Sequence, residues 1–196
     1  MRENQFHPLG SSQVKPFCKV LWYTGLSGAG KTTLAQALYE YLIRQGIVSV
    51  ILDGDQLRKG ISSNLGFSTE DRTENIRRTA EIAKLFLSNG IICIVSTISP
   101  YPELRNIARE IIGEEFFFEI FINAPLSVCE ERDVKGLYNK ARHNEISSFT
   151  GVHDAYIAPE NPNLEIRTDI LSIEESLDKI VALMECSQKS LKKYSI

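Results

Sequence analysis

No two of the four cysteines lie close together: Cys18, Cys93, Cys129 and Cys186 are scattered over 196 residues, with no Cys-x-x-Cys pair and no histidine at ligand spacing. That excludes a disulfide framework and a zinc site, and leaves core or surface thiols. There is no excess of positive charge either, 22 Lys plus Arg standing against 25 Asp plus Glu for a net charge of −3, so a nucleic-acid partner is disfavoured. No apolar run approaches the roughly 20 residues of a membrane span; the stretch 116–124 is interrupted by Glu119 and Asn123. The first sixteen residues carry Arg2, Glu3 and His7 but no apolar core with a small-residue cleavage site, so they do not read as a secretory leader and a cytoplasmic location is expected. Repeats, low-complexity tracts and linkers are also missing. What remains, 43% hydrophobic and 24% charged residues, is the composition of one globular unit. We expect an N-terminal extension over 1–17, one domain over 18–188 and a short tail over 189–196.

Short apolar runs alternate with helical patterns, which implies an α/β fold with a mainly parallel sheet flanked by helices. The expected strands are 18–24, 48–52, 91–96 and 116–123, with a weaker fifth at 164–167; their near-continuous apolarity suits strands buried on both faces. Helices are expected over 31–45, 71–89, 101–112, 126–133 and 173–186. Gly46 and Gly90 supply stops, while Ser68 with Asp71 and Ser172 with Glu175 resemble capping boxes. The polar stretch 134–163 has no clean period, and a loop of that length in a compact domain is usually functional, so we expect a mobile lid.

Gly25-Leu26-Ser27-Gly28-Ala29-Gly30-Lys31-Thr32, followed by Thr33, matches the phosphate-binding G-x-x-x-x-G-K-[ST] pattern. It sits after an apolar strand and before a strong helix, where its mechanism requires it. The glycines let backbone N–H groups turn toward phosphates at a helix N-terminus, Lys31 reaches the β and γ phosphates, and the Thr32 hydroxyl suits Mg²⁺. ATP and Mg²⁺ are therefore the expected cofactors of a P-loop three-layer fold. A loop of this kind serves motors, switches and kinases alike, so the acceptor is read elsewhere. Asp53-Gly54-Asp55 closes the second strand, and strand carboxyl ends face the ligand crevice. Asp53 can orient a water on the metal, and Asp55 can accept a hydroxyl proton.

From here the residues resemble one family, adenylylsulfate kinase. The likeness runs from about residue 20 to 170 and includes Leu52 to Asp55 with Arg58, Asn64-Leu65-Gly66-Phe67-Ser68, Glu70-Asp71-Arg72, Glu74-Asn75-Ile76-Arg77-Arg78, Ile98-Ser99-Pro100-Tyr101, Cys129 to Asp133, Lys135 to Tyr138, Phe149-Thr150-Gly151 and Ala158 to Pro162. The resemblance implies phosphorylation of the ribose 3′-hydroxyl of adenosine 5′-phosphosulfate by ATP, in sulfate assimilation, by a homodimer. It assigns Arg58, Arg72 and Asn75 to the phosphosulfate, Phe67 and Phe149 to a sandwich around the adenine, and Ile98, Ser99 and Lys135 to the substrate. Arg132 falls to the ATP side. It also makes Ser99 a candidate phosphoserine, although direct in-line transfer needs no covalent step, and an N-cap for a helix opened by Pro100 explains Ser-Pro equally well.

Lys59, Ser62, Thr97, His153, Ala155 and Ile157 depart from the commonest family pattern. Since Thr97 and the lid are expected near the substrate, these departures bear on acceptor identity. Two alternatives follow: a kinase of the same family acting on another nucleotide anhydride, such as a cytidine diphosphate derivative, and a silent nucleotide-binding subunit. A purine-sized slot between Phe67 and Phe149 argues against the first, and the intact Lys31, Thr32, Asp53 and Asp55 against the second. Of the neighbours Arg77 and Arg78, one is expected to be structural and one exposed. Trp22, Tyr39, Tyr41 and Phe116 to Phe118 are assigned to packing.

Overall fold

A computed structural model describes residues 19–192. The expected extension 1–17, together with Cys18 and residues 193–196 of the tail, lies outside the described residues. Five parallel strands form one sheet in the order β2-β3-β1-β4-β5: β1 Val20–Thr24, β2 Ser49–Asp53, β3 Ile92–Ser96, β4 Phe117–Asn123 and β5 Leu164–Arg167. Each falls within two residues of its expected bounds. The chain places β2 and β3 on one side of β1, then crosses to add β4 and β5 on the other. This topology opens a crevice at the carboxyl end of β1.

Alternation along β1 divides the interior in two. Leu21 and Tyr23 face a layer containing Leu34, Leu38 and Leu42 of α1 (Lys31–Arg44) and Ile180 and Met184 of α7 (Ile173–Lys192). Val20 and Trp22 face Ile76, Ala80 and Ala83 of α3 (Thr69–Ser88) and Leu104, Ala108 and Ile112 of α4 (Pro102–Ile112). A fully buried leucine in either layer is worth about 1.5–3 kcal/mol, and together they fix the strand ends on which the site is built. Cys93 and Cys129 are buried thiols, and burial pushes the Cys93 thiol up to about 12.

Several local expectations are corrected. Two helices were not foreseen: α2 (Gly54–Lys59), which buries no residue, and α6 (Leu137–Arg142), which buries only Tyr138 and Ala141. The latter lies inside the stretch expected to be a mobile lid without a clean period, along with a bridge between Thr150 and Asp154; α5 (Leu126–Arg132) precedes it. The last helix runs to Lys192 rather than stopping at Cys186. Helix α3 starts two residues early, with Ser68 Oγ accepting from Asp71 N at 3.1 Å, but Asp71 turns its carboxylate to Gly66 N at 2.9 Å, so the box is not reciprocal. At α7 it is reciprocal: Ser172 N donates to Glu175 Oε2 at 2.8 Å and Glu175 N to Ser172 Oγ at 3.1 Å. Arg77 stays exposed on Glu74, whereas Arg78 also ties down Ile61 O and Asn64 Oδ1, at 2.7 and 2.8 Å.

Candidate active site

The P-loop begins at Gly25, whose φ of +150° is only part of its requirement: a Cβ there would lie 2.2 Å from Ile122 O. Gly28 is equally confined, a Cβ meeting Cys129 O at 2.8 Å with φ at +75°. Gly30, left-handed at φ 99°, caps α1 with no side chain, which leaves the first-turn N–H groups for an anion. Lys31 is buried and donates to Gly25 O at 2.9 Å and Leu26 O at 2.7 Å. Desolvation lowers its ammonium to about 8, Cys129 and the Asp55 and Asp53 carboxylates opposing the shift and Lys135 adding to it.

Thr32 Oγ1 donates to Asp53 Oδ2 at 3.0 Å. The other Asp53 oxygen accepts from Asp55 N and Gln56 N, at 3.0 and 3.3 Å, as the N-cap of α2. A hydroxyl and a carboxylate oxygen at this spacing fit a hydrated Mg²⁺, which favours few protein ligands, all oxygen, and completes its shell with water and phosphate. Thr32 and Asp53 could therefore hold such an ion; among the described residues there is no cluster of three or more His, Cys, Asp or Glu suited to a metal.

One cleft of about 800 Å³ joins this end to the residues expected at the acceptor. Asp55 stands between, its carboxylate paired with Lys135 Nζ; both side chains are about half exposed, and a pair so wetted contributes about 0–1 kcal/mol and exchanges readily. Arg58 donates to Gly66 O at 2.7 Å and lies 4.4 Å above the Phe67 ring. Phe67 is exposed in the cleft, while Phe149 meets Tyr138 edge-on at 5.0 Å. Asn75 lines the wall with its Oδ1 buried and unpartnered.

Arg72 lines the same cleft and is also held by the protein. Its guanidinium is buried and donates to Phe67 O at 2.9 Å, Thr150 Oγ1 at 3.0 Å, Ser148 O and Asp154 Oδ2, the last at 3.0 Å. It staples the start of α3 to the 148–154 loop, so most of its donors serve the protein itself.

Ser99 is not a helix cap. Tyr101 is the N-cap of α4 and Pro102 opens it, since proline's fixed φ suits the first helical position. Ser99 instead takes φ 39°, at a cost on the order of 1–2 kcal/mol for a residue with a Cβ. Its Oγ accepts from Trp22 Nε1 at 3.1 Å and Thr97 Oγ1 at 3.3 Å. Thr97, one of the departures, is thus part of the cleft wall.

On the nucleotide side, Arg132 spans Gly28 O at 3.3 Å and Thr168 O at 2.7 Å, and Thr168 Oγ1 donates to Ala29 O at 2.7 Å. Thr168, with Leu171 and Ser176 nearby in the lining, escaped the sequence reading. The strand-end rule that found Asp53 and Asp55 pointed equally to the residue after β5.

Sheet, loop and cleft together define a P-loop kinase. A family model described as adenylylsulphate kinase matches residues 17–167, and the chain belongs to that family. It is 51% identical over 165 residues to an adenylyl-sulfate kinase of Bacteroides fragilis, covering 84% of this chain and 82% of that one. With an adenylyl-sulfate kinase of Halothermothrix orenii the identity is 53%, covering 84% and 88%. Among solved structures, the Mycobacterium tuberculosis APS kinase in complex with AMPPNP and APS superimposes with a TM-score of 0.83 at 44% identity, covering 87% of this chain and 99% of that one. A Sinorhizobium meliloti gluconokinase, 17% identical with a TM-score of 0.61 and covering 92% of this chain and 99% of its own, shares the fold.

Proposed function

We propose that this chain transfers the terminal phosphoryl group of ATP to the 3′-hydroxyl of adenosine 5′-phosphosulfate, yielding 3′-phosphoadenylylsulfate and ADP. The observation that carries the reading is the continuity of one cleft from the P-loop, past Asp55, to Arg58, Phe67 and Asn75. Lys31 and the first turn of α1 hold the phosphates, and Arg132 holds the nucleotide end. Asp55 receives the proton of the attacking hydroxyl; Lys135 leaves Asp55 for the incoming anion, which frees the carboxylate at the moment it is needed. A bound Mg²⁺ would neutralise charge on the phosphate oxygens. Transfer is direct: the two partners of Ser99 Oγ, an indole N–H and a threonine hydroxyl, are hydrogen-bond donors and not bases. Phe67 offers an open face for a purine, where stacking is worth about 1–3 kcal/mol, and the segment 134–163 closes over the reactants to exclude water. The family resemblance supports a homodimer, and light scattering checks its mass.

The test is ADP release measured with adenosine 5′-phosphosulfate, AMP, adenosine and cytidine diphosphate compounds as acceptors. Turnover with adenosine 5′-phosphosulfate alone is expected. Turnover with a cytidine diphosphate compound instead would move the acceptor assignment and leave the phosphate chemistry standing.

A further inference from the structure

The turn between β3 and α4 is held at three successive carbonyls. Ile98 O accepts from Thr24 Oγ1 at 2.8 Å, Ser99 O from Arg105 Nη1 at 2.9 Å and Thr24 Oγ1 at 3.3 Å, and Pro100 O from Ile157 N at 2.9 Å. Arg105 is the charged donor in this set. It is 3% exposed, and its Nε lies 2.7 Å from Glu119 Oε1, itself on a side chain only 5% exposed. That contact is ionic rather than an aligned hydrogen bond, which leaves the bond to Ser99 O as the directional one. Replacing a buried ion pair by apolar groups of similar volume is often neutral or stabilising, so stability alone does not account for the pair. What it touches does: a residue with φ 39° in the wall of the cleft.

A comparison within the same network separates the two roles. Arg109 reaches the other Glu119 oxygen, Oε2, at 2.7 Å, and its further partners are Glu114 and the Phe117 ring. It neutralises the same carboxylate from one turn further along the same face of α4, and its side chain makes no hydrogen bond to the turn.

We propose that Arg105, oriented by Glu119, is a positioning residue for the acceptor: it holds Ser99 in its left-handed conformation and thereby sets the wall on which the acceptor binds. The inference rests on the functional reading above and on the assignment of Ser99, which lines the same cleft, to the substrate by the family resemblance. Arg105 acts through Ser99 and does not itself touch the reactants.

Steady-state kinetics with each substrate varied in turn, together with amide exchange over residues 97–101 of the full chain without substrates, tests it. Arg105→Met and Arg105→Lys are expected to raise the acceptor KM about tenfold or more, ATP KM staying within about twofold. Lys keeps the charge against Glu119 but loses the fork, so it restores Tm without restoring KM. Arg109→Met lowers Tm and leaves the acceptor KM alone. Exchange quickens in the Arg105 variants and not in Arg109→Met. Where a single variant does not fold, Arg105→Met with Glu119→Leu removes both charges and carries the same acceptor defect. An unchanged acceptor KM, an equal rise in both KM values, or unchanged exchange overturns the proposal. If the unsubstituted protein does not turn over adenosine 5′-phosphosulfate, the functional reading fails, and the exchange result still decides whether Arg105 holds the turn.

Discussion

Lys31 carries a cost that its ligand removes. Burial holds the ammonium at about 8 in the protein, against an ordinary 10.5, so between those values the native chain binds fewer protons than the unfolded one and stability rises with pH. Phosphate reverses the preference by favouring the charged form. ATP binding above about pH 8 therefore takes up a proton, and affinity falls there by up to about tenfold per pH unit. Calorimetric titrations in buffers of different ionisation enthalpy measure the uptake, and Lys31→Arg, charged throughout, flattens the profile. Asp55 gives a sharper separation: Asp55→Asn is expected to lower kcat by about 10² or more with ATP affinity retained. Stopped-flow turnover beside equilibrium nucleotide binding distinguishes the two effects, and near-normal turnover would remove Asp55 from its role.

Elements differ in how plainly they were written in the chain. The five strands were legible as near-continuous apolar runs, and α1, α3, α4 and α7 because each buries an apolar face whose period can be counted; α5, which buries only Cys129, was legible from Pro125 before it. Helix α2 buries nothing and α6 only two residues, so neither leaves a period, and both depend on tertiary contacts such as Tyr138 Oη donating to Ser27 O at 3.0 Å. The P-loop residues and the Asp53 and Asp55 pair could be read because their chemistry fixes their spacing. Arg105 and Glu119 could not, since they come from separate elements and meet only in the fold. Likewise, the donors of Arg72 are claimed by the 148–154 loop, which no local pattern announces. The P-loop is rigid for a reason that mutation can expose. Gly28→Ala must push against Cys129 O and adopt a positive φ, so ATP KM is expected to rise about tenfold or more, while circular dichroism reports an intact fold.

Across the whole molecule, the residues we assign to nucleotide and acceptor line a single cleft, and the 134–163 segment reaches both groups. Tyr138 touches Ser27 of the P-loop, and Lys135 pairs with Asp55. Arg72 and Asp154 fasten the segment's middle to α3 at 3.0 Å. Limited proteolysis is expected to cut 134–163 first and to be suppressed more by an ATP analogue with adenosine 5′-phosphosulfate than by either alone. Equal protection by the nucleotide alone would assign closure to one end of the cleft.

The sequence contains one tryptophan. Trp22 is fully buried in β1, with its indole N–H on Ser99 Oγ at 3.1 Å. The protein therefore carries its own optical probe beside the proposed acceptor wall. Its emission is expected to be blue-shifted, and because the hydrogen bond ends on the turn to which we assign the acceptor, adenosine 5′-phosphosulfate is expected to change the fluorescence more than ATP does. Acceptor affinity can then be titrated by light alone, with no label and no turnover.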